Sequence, residues 1–378
     1  MDQPVVAPPS HSRLSPSKAG RWVHCPGAVI MGEQFPEPKG RNEAADEGTA
    51  SHWVASETLE DRGTPQPGPV APNNVTISME MIEGAMVYVE AVRQAAAGAQ
   101  LNVEARIQAA YIHPDCWGTT DLWFLKGREL HVWDYKYGFS IVDPFECWQL
   151  ICYAAGIIQH IGLNGHDDQN TDVVFHIVQP RPFHVLGSHR TWRVKACDLR
   201  GHFNRLADAA NKALDPDPAT LSGDHCKYCS ARHACQAAQR AALFAIDYSG
   251  QAVAELLSPE ALAIELRTMQ RAAEAIKFRL TGLQAQAEGC IKAGGIVPGW
   301  ALQQGQGRLA WTKPVEEVFA FGDLMGVNLR AAPAAVTPAE AKKLKLPVDL
   351  IAAYAAAGDS GVKLVPTDCS LASRVFRS

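Results

Sequence analysis

The chain has 378 residues, of which 47% are hydrophobic, and its 35 basic against 40 acidic side chains leave a net charge of −5. This is enough apolar content for a large buried core and for two domains, while the acidic balance provides no global attraction for nucleic acid, so any such binding must be local. No run of ~18 apolar residues occurs and Met1 to Ser10 lacks an apolar signal core, which argues against membrane insertion and secretion and makes the cytoplasm the expected location.

In chain order, Ser15 to Gly27 reads as a short structured start carrying Trp22 and Cys25. A helix is expected from about Glu43 to Glu60, then a loop over Gly63 to Asn74 with four prolines. Ser78 to Ala97 has helical spacing, with Met81, Ala85, Val89 and Val92 on one side, and Leu101 to Ile107 alternates as a strand. Gly118 to Leu125 and Glu129 to Lys136 form a hairpin about a two-residue turn, Gly127-Arg128. A further helix is expected to open with Asp143 as cap and Pro144 in its first turn, running through Gln149 and Tyr153 toward Ile158. Val173 to Val178 and Thr191 to Val194 read as strands, which together point to an α/β core containing an antiparallel hairpin. From Ser258 and Pro259, residues Leu262, Leu266, Met269, Ala273, Ile276, Leu280, Leu283, Ala287 and Ile291 trace a heptad-like seam on one long helix ending at Gly294-Gly295. That helix can pack on its own domain or associate with a copy or a partner. A hairpin over Trp300 to Trp311 and Ala-rich helices from Val315 to Ala357 follow.

The hairpin carries the chemistry. Its turn pairs Leu125 with Leu130, Trp123 with Val132, and Asp121 with Asp134. Strand alternation then puts Lys136 beside both carboxylates, while Leu122, Phe124, Trp133 and Tyr135 cover the other face. Two like charges in opposition are unfavourable unless a divalent cation lies between them, and carboxylate oxygens suit Mg²⁺ or Mn²⁺. Taken alone, the same residues also fit a solvated hairpin edge. Three further residue sets bear on the site. His52, in the first turn of a helix that Thr49 can cap, is a possible divalent-metal ligand. Gln149 and Tyr153, four apart, share a helix face and could bond a phosphate or a base edge. Glu104 is a strand carboxylate whose orientation the sequence leaves open.

Cysteines form a second pattern. Ten cysteines without an export signal are expected reduced, so clustered ones read as metal or cluster ligands. Cys226, Cys229 and Cys235 make a compact set, with Cys25 as the candidate fourth ligand, and the spacing fits structural Zn²⁺ or an iron-sulfur cluster equally.

Gly48-Thr49-Ala50-Ser51-His52, Gly118-Thr119-Thr120-Asp121, Asp134-Tyr135-Lys136 and Gln149-Leu150-Ile151-Cys152-Tyr153, in this order, resemble the motifs of RecB-type nucleases of the PD-(D/E)xK superfamily. The split cysteine set resembles that of the iron-sulfur subgroup that includes AddB-type subunits. Leu14-Ser15-Pro16-Ser17, Arg21-Trp22 with Cys25-Pro26-Gly27, and Gln179-Pro180-Arg181 are similar to a phage and prophage family of RecB-like proteins described only as a domain of unknown function. The second acid is Asp134 where Glu is commoner in the superfamily, and no Gly-x-x-x-x-Gly-Lys-Ser/Thr helicase motif is present.

The resemblance implies an α/β restriction-endonuclease-like core, a small mixed sheet flanked by helices, with an iron-sulfur staple and a helical C-terminal region. The expected organisation is a nuclease domain over 10–240, the heptad helix within 241–296, and a small region of unassigned role over 297–378. It also implies a Mg²⁺- or Mn²⁺-dependent deoxyribonuclease, with exonuclease action the first expectation, serving phage DNA recombination, repair or replication in a bacterial or phage-infected cytoplasm. His52, Asp121 and Asp134 would hold the metal and Lys136 would stabilise the transition state. Gln149 and Tyr153 would position DNA, and Cys25, Cys226, Cys229 and Cys235 would ligate a [4Fe-4S] cluster. DNA is the expected partner, with a homo-oligomer or partner protein possible through the 258–293 helix. A non-catalytic DNA-binding or assembly protein, or a zinc-stabilised interaction protein, would use the same residues differently.

Overall fold

A computed structural model of the chain describes residues 12–36, 43–163, 166–249 and 257–302. The chain divides into two units, Met1–Leu302 and Gln303–Ser378, and the described residues belong to the first. Most of the hairpin expected over 300–311, the helices expected over 315–357 and Cys369 lie outside the described residues.

The chain enters through a 3-10 turn, Pro16–Lys18, and two short helices, α1 (Ala19–Trp22) and α2 (Ala28–Gln34). Helices α3 (Glu43–Leu59) and α4 (Met79–Ala96) follow, then strands β1 (Asn102–Gln108), β2 (Trp117–Lys126) and β3 (Glu129–Tyr135). Next come α5 (Trp148–His160), α6 (His166–Asn170), β4 (Asp172–Val178), β5 (His189–Lys195), α7 (Arg200–Ala213), α8 (Gln236–Ser249) and α9 (Pro259–Lys292). The five strands form one sheet in the order β1-β2-β3-β4-β5. All neighbours are antiparallel except β3 and β4, which run parallel and are joined by the crossover that contains α5. This is a mixed α/β sheet flanked by helices.

The hairpin register is the expected one, with Leu125 opposite Leu130 and Trp123 opposite Val132, and Gly127 supplies the positive φ of the turn, +60°. Alternation sends Leu122, Phe124, Trp133 and Tyr135 into a core under α3 and α4, where Met81, Ala85, Val89 and Val92 meet them. Trp123, Leu130 and Val132 face the opposite core beneath α5 and α7. Each large side chain buried this way contributes about 1.5–3 kcal/mol. Ser78 caps α4 by accepting from the Met81 N–H.

Three expectations are corrected. Thr49 caps no helix: it lies inside α3, so His52 is mid-helix, and the Thr49 hydroxyl donates to the Ala45 carbonyl at 3.1 Å. The helix expected from Asp143 begins at Trp148. Asp143 does accept a bond from the Phe145 N–H at 2.8 Å, but Glu146 lies at φ +50°, a left-handed residue that ends the capped turn before the helix can start. In α9 the buried residues are Phe278 and Gly282, while Leu262, Leu266, Ile276, Leu280 and Leu283 of the expected seam are exposed on the single chain. Close approach selects glycine at position 282, where a Cβ would come within 2.6 Å of the Arg232 side chain and 2.9 Å of the His233 nitrogen.

Candidate active site and cysteine pocket

The first three strands open where three carboxylates line up. In the β1–β2 ladder Val103 pairs with Leu122 and Ala105 with Thr120. Glu104 lies between them, opposite Asp121, and it sits out of the ladder at φ +45°, a strained position of the kind found at functional sites. On the other side, Asp121 takes the place of a ladder partner, its Oδ2 accepting the Tyr135 N–H at 2.6 Å. The β2–β3 pairing therefore ends at Leu122 and Trp133, and the cleft opens beside Asp134.

Helix α3 supplies the fourth group. Ser51 anchors it by hydrogen bonding to the Tyr135 hydroxyl at 2.8 Å, and His52 packs over the Tyr135 ring with its Nδ1 3.4 Å from Asp121 Oδ1. Ligand atoms of His52, Glu104 and Asp121 all lie within 4.8 Å of one another, the one such set among the described residues. Asp134 stands beside this set. Its Oδ1 accepts from Lys136 Nζ at 2.9 Å and from Gln149 Nε2 at 2.8 Å, and Lys136 also donates to Gln149 Oε1 at 3.1 Å. Asp134 Oδ2 is buried with no partner. A buried carboxylate oxygen without a donor is costly, and a proton, a water or a hard cation can each satisfy it.

The charges are tightly linked. Burial would lower the His52 pKa, but the Asp121 carboxylate outweighs it and holds the imidazole above its ordinary value. Asp121 is buried too, yet His52, Lys136 and the Tyr135 N–H pull its pKa down. Burial pushes Asp134 up against the opposing Lys136 ammonium. Burial of the carboxyl and the neighbouring Asp121 charge push Glu104 up to about 7, although the residue as a whole is exposed. Three carboxylates thus share the cleft with one imidazole and one ammonium, and each shift follows from the charges of the others.

Tyr153 is placed differently from Gln149. It is buried, and its hydroxyl donates to the Thr119 carbonyl at 2.6 Å, so it fixes β2 from α5. Gly118 leaves room for this bond, since a Cβ would press on the Tyr153 hydroxyl at 3.1 Å and on Pro16 at 3.0 Å. The loop that leaves Lys136 is held from β4. The fully buried Gln179 donates to the Gly138 and Ser140 carbonyls at 2.9 and 2.8 Å and accepts from the Val142 N–H and from Arg190. Arg181 pairs with Glu47 at 3.2 Å and with Glu80 at 3.1 Å. The Gln-Pro-Arg motif is therefore a brace for the site loop.

The four predicted cysteines come together. Cys25, Cys226, Cys229 and Cys235 line one small cavity with Arg21, His225 and Arg232. The closure is made by backbone contact: the Gly27 N–H donates to the Ala219 carbonyl at 2.9 Å, and a Cβ on Gly27 would come within 2.5 Å of Thr220. All described cysteines are free thiols. Cys116 and Cys152 are buried elsewhere, in the core under α5.

The family model described as "Protein of unknown function (DUF2800)" matches residues 11–324. The chain belongs to this family. A solved structure titled "Crystal structure of SSO0001" is 9% identical, covering 62% of this chain and 90% of that one, at a TM-score of 0.30, too low to carry an argument.

Two features of this family member escape sequence reasoning. Glu104 joins His52 and Asp121, although strand alternation gives no hint of its left-handed backbone. His131, His176 and His189 form a hydrogen-bonded row across β3, β4 and β5, with ring nitrogens 2.9 Å apart at each step, and His176 stacks on Trp133 at 3.8 Å. A period-two histidine in neighbouring strands is the only signal, and it is weak. No helix among the described residues is long and apolar enough to cross a membrane.

Proposed function

We propose that this protein is a Mg²⁺- or Mn²⁺-dependent deoxyribonuclease of the RecB type, built on a PD-(D/E)xK core and acting on phage or prophage DNA. The observation that carries the reading is the junction at the open ends of β1–β3. There a His-Glu-Asp ligand set adjoins a buried, partnerless carboxylate oxygen, and a lysine and a glutamine are bonded to that same carboxylate. His52, Glu104 and Asp121 would hold a divalent cation, with Asp134 at its flank. Such a cation polarises a phosphodiester and lowers the pKa of water.

The chain's own groups supply the rest. Lys136 is kept cationic, since the Asp134 and Asp121 carboxylates overcome the burial that would lower its pKa. Its ammonium can stabilise charge that develops on the phosphate oxygens. Gln149 holds both Lys136 and Asp134 in register, and Tyr153 acts one layer further out as a positioning residue for β2. An ammonium supported in this way is preorganised, so little reorganisation is needed when the transition state forms.

Cys25, Cys226, Cys229 and Cys235, which line one cavity, would hold a [4Fe-4S] cluster, with Zn²⁺ as the other group that four thiolates can bind. The role of the cluster in this reading is to staple the chain's start to the segment that follows the core.

The test is a time course on end-labelled linear and closed circular DNA with Mg²⁺ and Mn²⁺. The wild type should cleave, with loss of linear DNA first if the action is exonucleolytic. Asp134→Ala and Lys136→Ala should each abolish cleavage and leave the fold intact. Full activity in both variants would remove the mechanism.

A further inference from the structure

The loop after Lys136 exposes aromatic rings that no core explains. Phe139, three residues beyond Lys136, is 64% exposed, and Tyr228, between two of the pocket cysteines, is 59% exposed. Both are tied to the same loop. Arg181 lies 4.3 Å from the Phe139 ring on one side and 4.4 Å from Tyr137, while the Tyr228 hydroxyl bonds to the hydroxyl of Ser140, the residue after Phe139, at 2.9 Å. Arg21 fixes the Tyr228 backbone by donating to its carbonyl at 2.8 Å, and Lys227 sits 5.0 Å from the ring. Phe183, 81% exposed, stands two residues beyond Arg181 on the neighbouring loop.

The electrostatics choose the ligand. Arg181 is matched by Glu47 and Glu80, so its guanidinium backs Phe139 rather than meeting a phosphate, and the whole chain is net acidic. A duplex hides its base faces and presents a phosphate ribbon, whose capture requires a row of cations. A single strand presents unstacked base faces, on which aromatic rings stack, and a few neighbouring cations such as Lys227 and Arg21 can follow its backbone.

We infer that Phe139 and Tyr228 form a stacking platform that feeds single-stranded DNA into the site beside Lys136. The inference rests on the nuclease reading and names the substrate form it takes.

The experiment is fluorescence anisotropy in EDTA, where binding is read without cleavage, on labelled oligothymidylate and on a blunt hairpin duplex. Oligothymidylate should bind more tightly than the duplex. Phe139→Ala and Tyr228→Ala should each weaken its binding by about 5- to 150-fold, the usual worth of one base stacked on one ring. Tyr228→Phe, which loses the Ser140 bond and keeps the ring, should retain the affinity. Both alanine positions are exposed, and a thermal melt verifies the fold. Equal affinity for duplex, unchanged binding in both alanine variants, or tighter binding of oligouridylate would overturn the inference. Duplex cleavage that still depends on Asp134 would then preserve the nuclease reading, whereas failure to cleave any DNA in Mg²⁺ or Mn²⁺ would remove that reading instead.

Discussion

Glu104→Gln should stabilise the cation-free protein at alkaline pH and at the same time remove its response to divalent cations. Raising a carboxyl pKa from its ordinary 4.5 to about 7 corresponds to about 3.4 kcal/mol, since each pH unit is worth 1.36 kcal/mol. Glu104 is exposed as a residue, so solvent screening roughly halves this, to about 1.5–2 kcal/mol. The sign follows from proton binding. The folded state holds the Glu104 proton more tightly than the unfolded chain, so this contribution favours folding at low pH and is lost as pH rises from about 4.5 through 7. The neutral amide avoids that loss, and at pH 8 the variant should be more stable than wild type by about 1.5–2 kcal/mol in urea. Added Mn²⁺ at a hundredfold excess over its dissociation constant should stabilise the wild type by about 2.7 kcal/mol and the variant far less. A variant that is less stable than wild type at pH 8, or that responds fully to Mn²⁺, would refute the placement of Glu104 in the site.

Other consequences can be measured independently. His52→Ala should shift the Mn²⁺ titration of cleavage to higher concentration without abolishing activity, and an unchanged titration would count against His52 as a ligand. Replacing Cys25, Cys226, Cys229 or Cys235 by Ala should remove most of the iron and acid-labile sulfide per chain, while Cys116→Ala and Cys152→Ala keep wild-type stoichiometry; zinc in place of iron would keep the ligands and discard the cluster. Burial and the adjacent histidines pull His176 down to about 2. The unfolded chain therefore binds more protons below pH 6.5, and stability should fall by about 1.4 kcal/mol per pH unit from this residue as pH drops from 6.5 to 4.5. His176→Gln should flatten that slope in urea melts; parallel slopes would show that the imidazole row does not titrate on unfolding.

The hairpin was legible because its turn and its alternation agree on one register, which places Asp121, Asp134 and Lys136 together before any tertiary contact is known. His52 and Gln149 followed from motif order, and the structure brings both to the carboxylates. Glu104 was not legible, because one residue at φ +45° breaks the alternation from which orientation is read. The α5 start was misread for a similar reason at Glu146. In α9 the heptad spacing drew the seam, but Phe278, outside that spacing, is the large side chain that is buried, beside Gly282, a choice set by the surface it packs on and invisible in periodicity.

The contact between Gly27 and Ala219 also sets an order of events during synthesis. Residues 12–36 leave the ribosome early, but the carbonyl that receives Gly27 and the last pocket cysteine, Cys235, lie about 200 residues downstream. At about 5–20 residues per second, Cys25 waits roughly 10–40 s for its partner cysteines. Any cluster must be inserted after that interval, so its assembly follows completion of the core and cannot guide it. The nascent chain over this period offers a free thiol, and oxidation at Cys25 before release would compete directly with closure.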